Sequence, residues 1–118
     1  MRVLIVESNP ALGQLWEGHL RRFGLDVALA QSQDSSIDIV RQEYFNVIVL
    51  NLVLGSGSAL AVADYVSYRW PDTRIIFVTN STFFSDGSIF NHSPNACAFV
   101  TQTTAPEDLA AMVDHYAH

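Results

Sequence analysis

Arg2-Val3-Leu4-Ile5-Val6-Glu7-Ser8-Asn9-Pro10 reads as a strand that hands over to a helix. Residues 3–6 form a continuous apolar run of strand length, rich in branched side chains, which suits a strand buried on both faces. Asn9 is a good N-cap and Pro10 is well placed at the first helical position. Leu12, Leu15, Trp16, His19, Leu20 and Phe23 then recur at three- and four-residue spacing, which predicts an inward helical stripe. Gly24 falls where a left-handed residue ends a helix.

The same alternation continues outward from this unit. Residues 27–30 read as a short strand, and 32–43 as a helix with Ile37, Val40 and Tyr44 facing inward. The run 47–50 is a third strand. Gly55-Ser56-Gly57 follows as an ordinary strand-to-helix connection. Ser58 then caps a helix whose inner stripe includes Ala59, Val62, Ala63 and Val66 and which ends before Pro71. Residues 74–78 and 96–100 supply two more strands, and 106–116 a final helix with Leu109, Met112, Val113 and Tyr116 on one face. Thr104 and Glu107 are spaced as a capping box for that helix, with Ala105 as the other cap position. Between 79 and 96, Ser81, Ser85, Asp86, Gly87, Ser88, Asn91, Ser93, Pro94 and Asn95 break the pattern, so the fourth helix is expected to be short or irregular. Strands alternating with helices imply an α/β fold, a parallel sheet with helices on both faces.

Composition narrows the function. The 118 residues, nearly half of them apolar, suffice for one domain spanning 1–118 with a single core. Twelve carboxylates against six basic residues give a formal charge of -6, and no basic stripe exists to hold a phosphate backbone. Nucleic-acid binding is not expected. One cysteine, Cys97, excludes an internal disulfide and reads as a small buried hydrophobe. The first apolar segment is too short to span a membrane, so a soluble, cytoplasmic chain is expected. His19, His92, His115 and His118 lack metal-site spacing. Trp16 and Trp70 read as core or core-edge aromatics.

In a parallel sheet of this kind the ligand site lies outside the carboxyl ends of the strands. That rule selects Glu7, Ser8, Asn51, Thr79 and Gln102. Asn51 ends the apolar run 47–50, where a buried strand would deliver a reactive carboxylate. An amide keeps that shape but carries no charge and cannot act as an anionic nucleophile. All six basic residues are arginine, so no lysine is available to neutralise a phosphoryl group.

Taken in order, Arg2 to Pro10, Val49-Leu50-Asn51-Leu52-Val53-Leu54, Ile76-Phe77-Val78-Thr79, and Ala98-Phe99-Val100-Thr101-Gln102 followed by Pro106-Glu107-Asp108-Leu109 resemble a bacterial response-regulator receiver domain, the family of the chemotaxis regulator. The resemblance covers essentially the whole chain. It implies a flavodoxin-like doubly wound sheet of five parallel strands in the order 2-1-3-4-5. It also implies roles: the phosphoacceptor aspartate falls on Asn51, the acid pair that binds magnesium on Glu7 and Ser8, and the phosphoryl-gripping lysine on Gln102. The backbone carbonyl of Val53 takes the position of a metal ligand. Thr79 and Phe99 keep the hydroxyl and aromatic positions that switch on phosphorylation.

Nucleophile, direct metal ligand and cation are thus lost together, and Glu7 alone remains at the weaker metal position. The expectation is a degenerate pseudo-receiver, not an enzyme and without metal or cofactor, acting as a protein interaction module in signal transduction. Its partner is expected to be a signalling protein or a second copy, through the face formed by the 79–96 segment, the fifth strand and the final helix, with Phe83, Phe84 and Phe90 as contacts. Two alternatives remain open. The neutral cluster of Ser8, Asn51, Thr79 and Gln102 binds a small uncharged or weakly anionic ligand, or an unusual acceptor such as Glu7 or a serine takes the phosphoryl group.

Overall fold

A computed structural model describes residues 1–55, 57–79 and 93–118. Along the chain run β1 (Arg2–Val6), α1 (Pro10–Arg21), β2 (Asp26–Ala30), α2 (Gln33–Gln42), β3 (Val47–Asn51), α3 (Ala59–Arg69), β4 (Arg74–Thr79), β5 (Ala96–Thr101) and α4 (Pro106–Ala117). The five strands pair in parallel in the order β2-β1-β3-β4-β5, the flavodoxin-like arrangement expected. The segment expected to carry a short or irregular helix lies mostly outside the described residues.

Alternation along the strands divides the core into two layers. Val3, Ile5, Val47, Val49, Ile76 and Val78 point to one face, where Trp16 and Leu20 of α1 and Leu109, Ala110 and Val113 of α4 cover them. Leu4, Val6, Ile48, Leu50, Ile75 and Phe77 point to the other, under Val40 of α2 and Ala59, Val62, Ala63 and Val66 of α3. Burial on both faces is why these strands read as unbroken apolar runs.

Asn9 caps α1 by accepting from the Ala11 and Leu12 amides, and Gly24 adopts φ +78° beyond its end. The inward stripe is Gly13, Trp16 and Leu20; Leu15 and Phe23, expected inside, are exposed. Gly13 faces the sheet, where a Cβ would make ordinary contact at 3.8 Å with Glu7 Cβ and Leu29 Cδ2. Tyr44 is likewise exposed: α2 stops at Gln42, and the ring packs edge-on against Trp70, 5.2 Å between centroids. The capping box Thr104–Glu107 does not form. Ala105 is the N-cap, because a proline at N1 keeps its predecessor out of helical backbone, here φ -57° and ψ 134°, and its methyl offers no oxygen to accept from the first-turn amides. Among the described residues no helix is long and apolar enough to cross a membrane.

Candidate functional site

β1 and β3 are neighbours at the point where the strand order reverses, so their carboxyl ends open into one crevice. Glu7 follows β1 directly and Asn51 closes β3. Both are buried. The Asn51 amide nitrogen donates to Glu7 Oε1 at 3.0 Å and to Glu7 Oε2 at 2.8 Å. The same nitrogen lies 3.2 Å from Gln102 Oε1, which accepts from it. Asn51 Oδ1 accepts from the Val53 amide at 2.9 Å. The amide's orientation follows from chemistry, since the reverse would set Oδ1 against two carboxylate oxygens and NH2 against an N–H donor.

Glu7 is a carboxylate removed from water with neutral partners. Burial pushes its pKa up, and the Asn51 amide and the Ser8 backbone pull the other way without cancelling the effect. Hydrogen bonds to a charged acceptor contribute about 1.5–3 kcal/mol each, which is how an uncharged residue can hold a buried acid. Ser8 is half-buried beside the pair. Thr79 is buried at the end of β4, and its carbonyl accepts from the Gln102 amide at 3.0 Å. That bond sets the start of the β5–α4 connection, so the Gln102 side chain reaches Asn51 across β4. Phe99 stacks on Phe77, with centroids 5.2 Å apart and planes 17° off parallel.

The structure therefore brings Glu7, Asn51 and Gln102 into one hydrogen-bonded cluster, to which Thr79 is joined through the Gln102 backbone, while Phe99 packs on Phe77. Phe83, Phe84 and Phe90 lie outside the described residues. Sequence reasoning missed Gln33, whose Oε1 accepts from the Ser58 amide at 2.7 Å, tying the start of α2 to the N-cap of α3. Gly57, at φ +83°, makes room for it; a Cβ there would collide with the Gln33 side chain. No local pattern signals a contact between positions 25 apart. Cys97 is half-buried and its thiol is pushed up to about 11, chiefly by burial, which leaves it no nucleophilic role.

Magnesium wants near-octahedral oxygen ligands and sheds water reluctantly, so it depends on carboxylates. Glu7 is the one carboxylate of this cluster, and both of its oxygens already face an N–H. Ser8 and Gln102 offer only neutral oxygens. Among the described residues no group of three or more His, Cys, Asp or Glu side chains could hold a metal ion. The residues present do not fit a resident divalent cation.

The family model described as response regulator receiver domain matches residues 3–114. The response regulator protein PilR of Pseudomonas aeruginosa is 28% identical over 78 residues, and the transcriptional regulatory protein BaeR of Escherichia coli 35% identical over 78. Each match takes in 66% of this chain but only 18% of PilR and 32% of BaeR. Among solved structures, a CheY-like response regulator receiver domain protein from Methanospirillum hungatei superposes with a TM-score of 0.88 at 20% identity, covering 98% of this chain and 92% of that one.

Proposed function

The chain belongs to the response regulator receiver domain family of two-component signalling, and from that membership we propose that it signals without taking a phosphoryl group, as a protein interaction module. One observation supports this above the others. The residue in the phosphoacceptor position is an amide whose nitrogen donates to Glu7 and Gln102. A phosphoacceptor needs an anionic oxygen directed at phosphorus and cations to neutralise the charge that develops. Here the direction of hydrogen bonding is inverted, and the cation position is held by glutamine. On this reading the domain catalyses nothing.

Without phosphorylation, the two states of a receiver can be shifted only by a partner that binds one better than the other. The partner in this reading is another signalling protein or a second copy of the chain, met in the cytoplasm, with Thr79 and Phe99 serving partner binding or retained without use. Sedimentation at high micromolar concentration separates the two cases, a strict monomer removing the second copy. Both polar atoms of Asn51 are hydrogen-bonded within the chain, so the small-ligand reading gains no support from the geometry.

The direct test is incubation with acetyl phosphate and magnesium followed by intact-mass measurement. The expected result is an unmodified mass. A stoichiometric adduct of phosphate mass, at any residue, would overturn the proposal.

A further inference from the structure

We infer that the Asn51 amide nitrogen occupies the place a divalent cation would need beside Glu7, so that an internal donor closes the site to such cations. The inference rests on the reading of a receiver that does not transfer phosphoryl groups, yet it can fail separately from it.

Three oxygens converge on one nitrogen: Glu7 Oε1 at 3.0 Å, Glu7 Oε2 at 2.8 Å and Gln102 Oε1 at 3.2 Å. These are the lone pairs a cation would use. The nitrogen carries two N–H groups and a partial positive charge, so it supplies in neutral form part of what the cation supplies in charged form. Turning the amide to present its oxygen instead would break the 2.9 Å bond from the Val53 amide. It would also set NH2 against that N–H. A cation would therefore displace both N–H donations of Asn51, and a turned amide the bond from Val53 as well, while gaining one carboxylate, and this is a poor exchange for an ion that sheds water reluctantly. The same nitrogen links the end of β1, the end of β3 and the connection after β5, a bridging duty otherwise suited to an ion.

The test is chemical denaturation of the intact chain in EDTA, in MgCl2 and in MnCl2, each against NaCl of matched ionic strength. A site with a Kd of about 1 mM would raise the folded-to-unfolded ratio about elevenfold at about 10 mM cation. The wild type is expected to show no such rise, and its Asn51 side-chain amide signals are expected to stay unbroadened by Mn2+ in NMR spectra. The double variant Ser8→Asp/Asn51→Asp is expected to gain a saturable response; if it is unfolded in EDTA, folding on addition of Mg2+ counts as that response. A saturable Mg2+ effect on the wild type, or Mn2+ broadening at Asn51, would overturn the inference. So would a folded double variant that ignores both cations. A wild type that binds cation but gives no phosphate adduct sinks this inference and leaves the proposed function standing, whereas an adduct without any cation effect does the reverse.

Discussion

Asn51 and Glu7 form a neutral–anionic pair in which the anion bears the burial. Because burial holds the Glu7 carboxyl above the usual range, the folded protein gives up this proton at a higher pH than the unfolded chain does. The group's contribution to stability is therefore fully present below its unfolded value of about 4.3 and is lost as pH rises through the folded value. Glu7→Gln removes the titration. Urea denaturation of both proteins from about pH 4 to pH 8 should show the stability difference moving in favour of the variant as pH rises, then levelling. A flat difference, or one moving towards the wild type, would mean that the hydrogen bonds from Asn51 and Ser8 outweigh desolvation. At this scale the positions of Glu7, Ser8, Asn51 and Gln102 were legible from their places at strand ends. The orientation of the Asn51 amide was not, since its nitrogen finds its acceptors, Glu7 and Gln102, on two distant segments.

Helix starts show at the level of elements why some signals are readable and others mislead. Asn9 before Pro10 and Ser58 before Ala59 place a capping side chain at the N-cap itself, and both cap as expected. Thr104 and Glu107 have the right spacing, but Pro106 outranks them by fixing Ala105 as the cap. Thr104 instead lies with its hydroxyl 3.3 Å from that of Thr101. α4 thus begins without a side-chain cap, and Ala105 already has extended backbone suited to one. Ala105→Ser should stabilise the protein by about 0.5–1 kcal/mol, read as a higher urea midpoint at unchanged slope. No gain would indicate that the α4 amides are satisfied by other means. Side chains from helices also guard the sheet's open edges: Arg21 donates to the Val27 carbonyl at 2.9 Å on β2, and Tyr116 to the Cys97 carbonyl at 3.3 Å on β5. Neither was foreseeable from periodicity, which says which face of a helix is buried but not what its polar ends reach.

Across the whole molecule the cations gather at one end. Arg2 and Arg74 begin β1 and β4, Arg21, Arg41 and Arg69 close α1, α2 and α3, and Arg22 caps α1. Strand starts and helix ends share one edge of a parallel sheet, so all six cations lie opposite the Glu7–Asn51 cluster. Asp34, Glu107 and Asp108 sit in the first turns of α2 and α4, on the edge shared with Glu7. These charges favour their helix termini, although Glu43 caps the end of α2 and, with Asp26, pairs with Arg2; the arrangement leaves the carboxyl edge without a described cation. The strand–helix alternation behind this sorting was legible locally. The strand order was not, since periodicity does not say which strand crosses to which side of β1; it came through the family resemblance. On the proposed reading, an anionic phosphodonor approaching this edge meets carboxylates and no described cation to neutralise it, so Ser8, Asn51 and Gln102 act together. Asn51→Asp alone would set two carboxylates side by side without a cation, a pair that resists full ionisation. It should give no phosphate adduct with acetyl phosphate and magnesium. Ser8→Asp/Asn51→Asp/Gln102→Lys restores metal ligand, nucleophile and cation together, and should give an adduct of phosphate mass at position 51 by intact-mass and peptide analysis. Robust labelling of the single variant would show that Ser8 and Gln102 matter less than their chemistry indicates, and a folded triple variant that stays unmodified would place the barrier elsewhere in the charge distribution.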